Sequence, residues 1–223
     1  MGTYTLDFSF VFANLPLLMR GLAVTLELTL ISVAVGLIAG FFVCLMAMSP
    51  FKPLAWIAIS FIEIFRCTPA LIQLIWIFYC VPIFLGVFIE PIPMAILALS
   101  MNVTAYNAEA YRAAIQSIPR AQLDACVALG LSPWERTIYV VLPQALFNAT
   151  PVLLTNAIGL LQQSALVAIV AIGDLMYEGK TLATASYRPI EIFTVVAAIY
   201  FLVALPVSQT VALIERRFRR RAS

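Results

Sequence analysis

Four long stretches of this chain contain no charged residue: Leu28 to Phe51, Ala70 to Ile89, Thr137 to Gly173 and Ile192 to Ile214. About 20 helical residues at 1.5 Å each span a hydrocarbon core of about 30 Å. Backbone N–H and C=O groups find no water in lipid, so runs of this length cross as helices that satisfy their own hydrogen bonds. The composition agrees, with 63% hydrophobic and only 11% charged residues over 223 positions, against about 25% charged in a soluble domain. The chain is therefore expected to be an all-α integral membrane protein. No Ser/Gly-rich linker, low-complexity tract or direct repeat divides it, so one domain covers 1–223.

The predicted spans lie at about 22–48, 67–89, 92–114, 147–172 and 192–214. Alternating the loops between them places Arg20, Lys180 and Arg188 on one side. Lys52, Arg66, Arg112, Arg120, Arg136 and the terminal Arg216, Arg217, Arg219, Arg220 and Arg221 fall on the other. Three basic residues against ten put the amino terminus outside and the carboxyl terminus in the cytoplasm by the positive-inside rule. The arginine tail follows the last span directly, which makes it a topology anchor that favours anionic membrane lipid, not a nucleic-acid patch. Residues 1–20, with Phe8, Phe10 and Phe12 before Pro16, are too short and polar to span and are expected at an interface. Glu27 is read as a carboxylate snorkelling or paired near the outer interface, and Gly36 with Gly40 as a mark of close helix packing.

Several chemistries are excluded. The chain has no histidine, and Cys44, Cys67, Cys80 and Cys126 have no metal-ligand spacing, so no metal site and no catalytic residue is assigned. Gly179-Lys180-Thr181 imitates the end of a phosphate-binding loop, but the preceding glycine, Gly173, is misplaced and no strand leads into it. The segment from Gly173 to Arg188 is read as an extramembrane loop. Asn102-Val103-Thr104 and Asn148-Ala149-Thr150 match glycosylation sequons, yet both lie in apolar runs.

The stretch 109–145 differs from its surroundings in being polar and finely punctuated. Pro119 suits a first helical turn, and Gly130 can take the left-handed conformation that ends a helix. Ser132, Pro133 and Glu135 supply an N-cap, a first-turn proline and a capping-box carboxylate for a second short helix, which Pro143 limits. On these residues alone the hairpin is either a connector between two spans or a docking element.

Asp124-Ala125-Cys126, three residues, Gly130, nine residues, Val140, one residue, then Leu142-Pro143 fits the spacing of the "EAA loop" of ABC importer permeases. The run through Glu109, Arg112, Ile115, Pro119 and Gln122 resembles the version found in polar-amino-acid permeases, and Glu63 to Pro69 resembles their "E-x-F-R-G-T-P" segment. Here Asp124, Cys126, Val140 and Cys67 replace Glu, Ala, Ile and Gly, and Ala121 stands where glycine is usual. Glu63 and Arg66 are read as an i, i+3 ion pair capping the inner end of a span. The resemblance covers about residues 15 to 220 and implies a type I ABC importer permease fold with a cytoplasmic coupling loop over 109–145. Asp124, Ala125, Cys126, Gly130, Leu142, Pro143, Glu109 and Arg112 would then couple to an ATPase.

What the resemblance further implies is an assembly of two ABC ATPase subunits, a second permease subunit (identical or a sister chain) and an extracytoplasmic solute-binding protein, in a bacterial inner membrane. ATP and magnesium would reside on the ATPases, with no cofactor on this chain and no nucleic-acid partner. Gln162-Gln163-Ser164 lies where the resembling permeases often carry Lys-Asp-Thr. These glutamines, with Asn156, either bond neighbouring helices or line a path for a polar solute, helped by Asn102 or Tyr106. A gradient-driven secondary transporter is the competing expectation, although neither a paired intramembrane acid nor repeated broken helices is evident.

Overall fold

The computed structural model describes residues 6–86 and 89–222, with 215–222 as backbone only. Residues 1–5, Val87 and Phe88 of the second expected span, and the side chains of the terminal arginines lie outside the described residues. Everything else is helical, connected by short turns. A short α1 (Ser9–Ala13) leads into α2 (Leu15–Ala47), then α3 (Lys52–Cys67), α4 (Ala70–Leu85) and α5 (Pro91–Gln116). The hairpin helices α6 (Arg120–Ala128) and α7 (Pro133–Glu135) precede α8 (Leu142–Gln163), α9 (Leu175–Ser186) and α10 (Pro189–Ala222).

The most extensive helix packing joins α2 to α5. Hydrophobicity scarcely varies around α2, but residue size does. Gly21, Thr25, Thr29, Ser32, Gly36, Gly40 and Cys44, with only Leu18 and Leu28 as large members, form its buried stripe at helical spacing, while Leu30, Ile38 and Phe42 stand 60% or more exposed on the other side. Lipid is as apolar as leucine, so such helices associate through close packing of small residues and interhelical hydrogen bonds. A Cβ added at Gly36 would collide with Val103 Cγ1, and one at Gly40 would lie 2.8 Å from Asn107 Cβ and 3.1 Å from the Thr104 carbonyl oxygen. The expected small-residue contact is present, and its partner is α5.

The centre of the bundle is α5, which buries Asn102, Thr104 and Asn107 along with its alanines. Its bounds enclose those of the third expected span, 92–114, but it is not among the described helices that are long and apolar enough to cross a membrane. Three helical stretches among the described residues are long and apolar enough to cross a membrane alone: α2, the continuous run Pro133–Val170, and Pro189–Ile214. A fourth passes only as a bent pair, α3 with α4, at 113°. This corrects the simple second span at 67–89. The residue before a proline is driven out of the helical region, and Thr68, before Pro69, is extended at φ −110°, ψ 147°. The 16 residues of α4 reach only about 24 Å by themselves.

Two further expectations change. The supposed loop 173–188 contains α9, packed against α2 and α10. Its N-cap is a fully buried Asp174, whose side chain accepts the Tyr177 N–H at 2.9 Å and the Tyr200 hydroxyl at 3.4 Å. Beside it Thr25 Oγ1 accepts the Leu175 N–H at 3.0 Å, tying α9 to α2. Burial pushes the Asp174 carboxyl up to about 6. The amino-terminal segment is also fastened: Val11 is buried with Leu175 and Ile192, and Asp7 and Glu191 both face Arg188, at 3.8 and 3.3 Å.

Replacing Gly40 by Leu should separate α2 from α5, since the blocking atoms belong to backbone and a rigid Cβ. An overpacked contact costs about 1–3 kcal/mol. The expected outcome is a lower melting temperature and reduced yield of purified protein. Wild-type melting behaviour in detergent would mean the two helices are not held this closely.

Candidate functional site: a capped hairpin and an amide-lined cavity

The hairpin is built by local chemistry. Ser117 closes α5, Pro119 is extended at φ −61°, ψ 135°, and α6 starts after it, so Pro119 is the N-cap and not the first helical residue. At the other end Gly130 adopts φ 74°. Its N–H reaches the Val127 carbonyl and the Leu131 N–H reaches the Cys126 carbonyl, both at 3.0 Å. This paired arrangement satisfies the last carbonyls of a helix and needs a left-handed residue between them.

The next turn begins at once. Ser132 Oγ accepts the Glu135 N–H at 3.3 Å, and Glu135 Oε2 accepts the Ser132 N–H at 2.9 Å, a complete capping box. The Ser132 hydroxyl, with its N–H, holds the Glu135 carboxyl below the usual carboxylate range.

Pro143 does not end this helix, contrary to expectation. A π-helical turn, Arg136–Val141, runs straight into α8. A proline lacks its N–H and its ring crowds the carbonyl four residues earlier; the wider π turn accommodates both defects. The hairpin proper is thus shorter than 109–145, because Glu109 and Arg112 belong to the last turns of α5 and residues from Pro133 onward form one body with α8.

The assigned coupling residues therefore separate into groups. Asp124, Ala125 and Gly130 are exposed on the hairpin, Cys126 is buried beneath it, Leu142 is half-buried and Pro143 exposed. Leu123 is half-buried and packs against the cluster that contains Ile118 and Ala145. Val127, Leu129, Trp134 and Tyr139 point outward, each 60–78% exposed. Four large side chains thus leave apolar surface exposed on a short segment.

Glu109 and Arg112 sit instead in an ion cluster. Arg112 clasps Glu109 through Nη2 at 2.6 Å and Nε at 2.9 Å, and Arg66 approaches the same carboxylate at 3.9 Å. The expected Glu63–Arg66 pair is replaced by this longer-range one. Arg66 at the end of α3 is thereby held against α5.

Four of the five candidate path residues line one cavity of about 260 Å³: Asn102 and Tyr106 from α5, Asn156 and Gln163 from α8. Thr155, Gly159 and Leu160 complete its α8 wall. Gln162 is exposed and does not line it. Tyr106 and Asn156 also border a second cavity of about 390 Å³ that extends to Arg66, Glu109 and Asn148. The two form a trough along the α5–α8 face.

Inside this trough the amides are partly committed. Asn156 Nδ2 donates to Asn107 Oδ1 at 3.0 Å, and Asn102 Nδ2 donates to Gln73 Oε1 at 2.7 Å. Gln73 in turn directs its Nε2 at the Phe65 carbonyl, the Thr68 carbonyl and the Thr68 hydroxyl, at 2.6 to 2.9 Å. It pins the break between α3 and α4 to the central helix. Gln163 differs: its Oε1 is buried and has no hydrogen-bond partner. Sequence reasoning overlooked Gln73 and Asn107 as working residues; the available signal was an amide in an otherwise apolar helix, which demands a partner.

A Gly130→Val substitution places a β-branched residue at φ 74°, at a cost of about 1 kcal/mol or more. The hairpin should lose its tight reversal, and capture of the ATPase should fall. Normal capture by the intact variant would reduce the hairpin to a connector.

Comparison with known proteins bears on both features. Residues 32–220 match the family model for the "binding-protein-dependent transport system inner membrane component". The arginine transport system permease protein ArtQ of Bacillus subtilis is 34% identical over 214 residues, covering 96% of this chain and 98% of that protein. The glutamine transport system permease protein GlnP of Escherichia coli is 32% identical over 218 residues, covering 96% and 98%. A crystal structure of an amino acid ABC transporter with histidines superimposes with a TM-score of 0.90 at 36% identity, over 96% of this chain and 100% of that one. An inward-facing MetNI methionine ABC transporter shares the fold, with a TM-score of 0.71 at 23% identity over 90% and 97%.

Proposed function

This chain belongs to the family of binding-protein-dependent transport system inner membrane components, and we propose that it forms the translocation pathway of an ATP-driven importer for an amino acid or a related small polar solute. The observation that carries this reading is the junction of the capped hairpin with the amide-lined cavity through the unbroken helical run Pro133–Val170. One end presents Leu129, Trp134 and Tyr139 to a partner; the other places Asn156 and Gln163 in the cavity wall. Relatives named for arginine and glutamine transport, matched over nearly their whole length, support the solute class. Family membership sets aside the gradient-driven secondary carrier.

The assembly we infer has two copies of a permease, this chain with itself or with a sister chain, two ATPase subunits and an extracytoplasmic solute-binding protein. ATP and magnesium act on the ATPases. Their closure draws the two hairpins together, and α8 carries that displacement to the cavity, biasing the pathway between inward- and outward-facing states. Leu129 and its neighbours supply apolar docking area, while the exposed Asp124 adds a charge on the same hairpin. Five crossings of the inner membrane with the amino terminus outside fit the three-to-ten distribution of basic residues.

Two measurements test this reading. Single cysteines at Lys180 and Arg219 in a cysteine-free background should label from opposite sides, Lys180 from outside; labelling of both from one side removes the five-crossing arrangement. Gln163→Leu should lower uptake about tenfold or more, since a buried polar contact to solute is worth about 1–3 kcal/mol, with assembly unchanged. Uptake equal to wild type in well-assembled complexes would return Gln163 to a packing role.

A further inference from the structure

We infer that the solute bound by this subunit has no net charge: a zwitterion with an uncharged, hydrogen-bonding side chain. The inference rests on the reading of the cavity as the pathway, and it adds the charge class of the cargo. Among the relatives, the permeases named for arginine and for glutamine transport span both charged and neutral cargo, so family membership leaves the class open.

The cavity of about 260 Å³ is lined by Asn102, Tyr106, Thr155, Asn156 and Gln163 among apolar residues, and no Asp, Glu, Lys or Arg contributes to it. The adjoining cavity contains one charge of each sign, Arg66 and Glu109, already 3.9 Å apart. Arg112 adds its own clasp on the same carboxylate. The smaller cavity therefore presents no fixed charge to a ligand. An ion moved from water into such a site loses its hydration and gains no counter-charge, whereas a net-neutral zwitterion brings its own.

The hydrogen-bonding groups suit both ends of a zwitterion. Each amide nitrogen carries two hydrogens. Asn156 has given one to Asn107 and Asn102 one to Gln73, and the second of each remains for a carboxylate. Gln163 lines the cavity, and its buried Oε1 has no hydrogen-bond partner; rotation of the side-chain amide toward the cavity would offer that acceptor to an ammonium or side-chain amide N–H. An orphan acceptor costs free energy until a ligand supplies its donor.

The test uses the purified complex of this permease with its ATPase subunits in lipid nanodiscs, without the solute-binding protein. Equilibrium binding of radiolabelled glutamine, serine, arginine, lysine and glutamate is compared. Glutamine or serine should bind at least about tenfold more tightly than any of the three charged amino acids, the minimum expected for an unmatched charge in a membrane-buried site. In the same assay Gln163→Glu should raise the affinity for arginine and lysine relative to glutamine by about tenfold, by restoring a counter-charge. Wild-type affinity for arginine, lysine or glutamate equal to or tighter than that for the neutral pair overturns the charge class and leaves the amino-acid pathway standing. An unchanged order of affinities in an intact Gln163→Glu complex overturns the placement of Gln163 at the ligand. Binding of none of the five by an assembled complex overturns both the charge class and the amino-acid assignment.

Discussion

The backbone-to-backbone approach of α2 and α5 is the contact on which the rest of the molecule depends. Gly36 and Gly40 lie so close to Val103, Thr104 and Asn107 that no Cβ fits between. Lipid supplies no hydrophobic drive to bring two leucine-rich helices together, so the stability of this pair rests on dispersion at short range and on hydrogen bonds. Small residues inside and large ones outside reverse the arrangement of a water-soluble helix. That reversal centres α5, and with α5 centred its asparagines face other helices and not lipid.

From that centre three neutral hydrogen bonds made by α5 side chains to other helices brace the bundle. Asn102 holds Gln73 and through it the α3–α4 break, Asn107 holds Asn156 on α8, and the Tyr111 hydroxyl donates to the Leu37 carbonyl of α2 at 3.3 Å. A neutral hydrogen bond contributes about 0.5–1.5 kcal/mol net, but an amide left alone in this interior costs more than that. The polar residues of α5 thus fix which helices may pack against it and in what register. Among the described residues the ion pairs fall into two groups, Arg66, Glu109 and Arg112 in one and Asp7, Arg188 and Glu191 in the other.

What could be read in the sequence divides by the distance between partners along the chain. Gly130, Ser132 and Glu135 were legible because a reversal and a capping box are settled within six residues. Charge-free runs announced the long helices for a similar reason. The pattern Gly36–Gly40 showed that something packs closely there without saying what. Arg66 illustrates the failure: the i, i+3 rule offered Glu63, but Glu109, 43 positions away, receives it because α3 lies beside α5. Asp174 was hidden in an expected loop, where an acidic N-cap looks the same whether it meets water or Tyr200. The run through Pro143 was misread since proline ordinarily stops a helix, and only a π turn lets the chain continue.

That continuity gives the proposed mechanism its mechanical basis. From Pro133 to Gln163 is a helical run of 31 residues, about 45 Å at 1.5 Å each. A flexible joint at Pro143 would absorb a displacement imposed on the hairpin; a wound helix passes it on. Along this lever the braces differ in strength. The Asn156–Asn107 bond is neutral, so its exchange for a ligand contact is nearly balanced, because each partner finds an equivalent hydrogen bond elsewhere. The clasp between Glu109 and Arg112 is charge-assisted and bidentate, about twice as strong as a neutral bond. In the proposed mechanism a movement of α8 against α5 would therefore find its soft point among the amides of the cavity, where protein bonds would be exchanged for solute bonds, and would leave the ion cluster at the end of α5 intact.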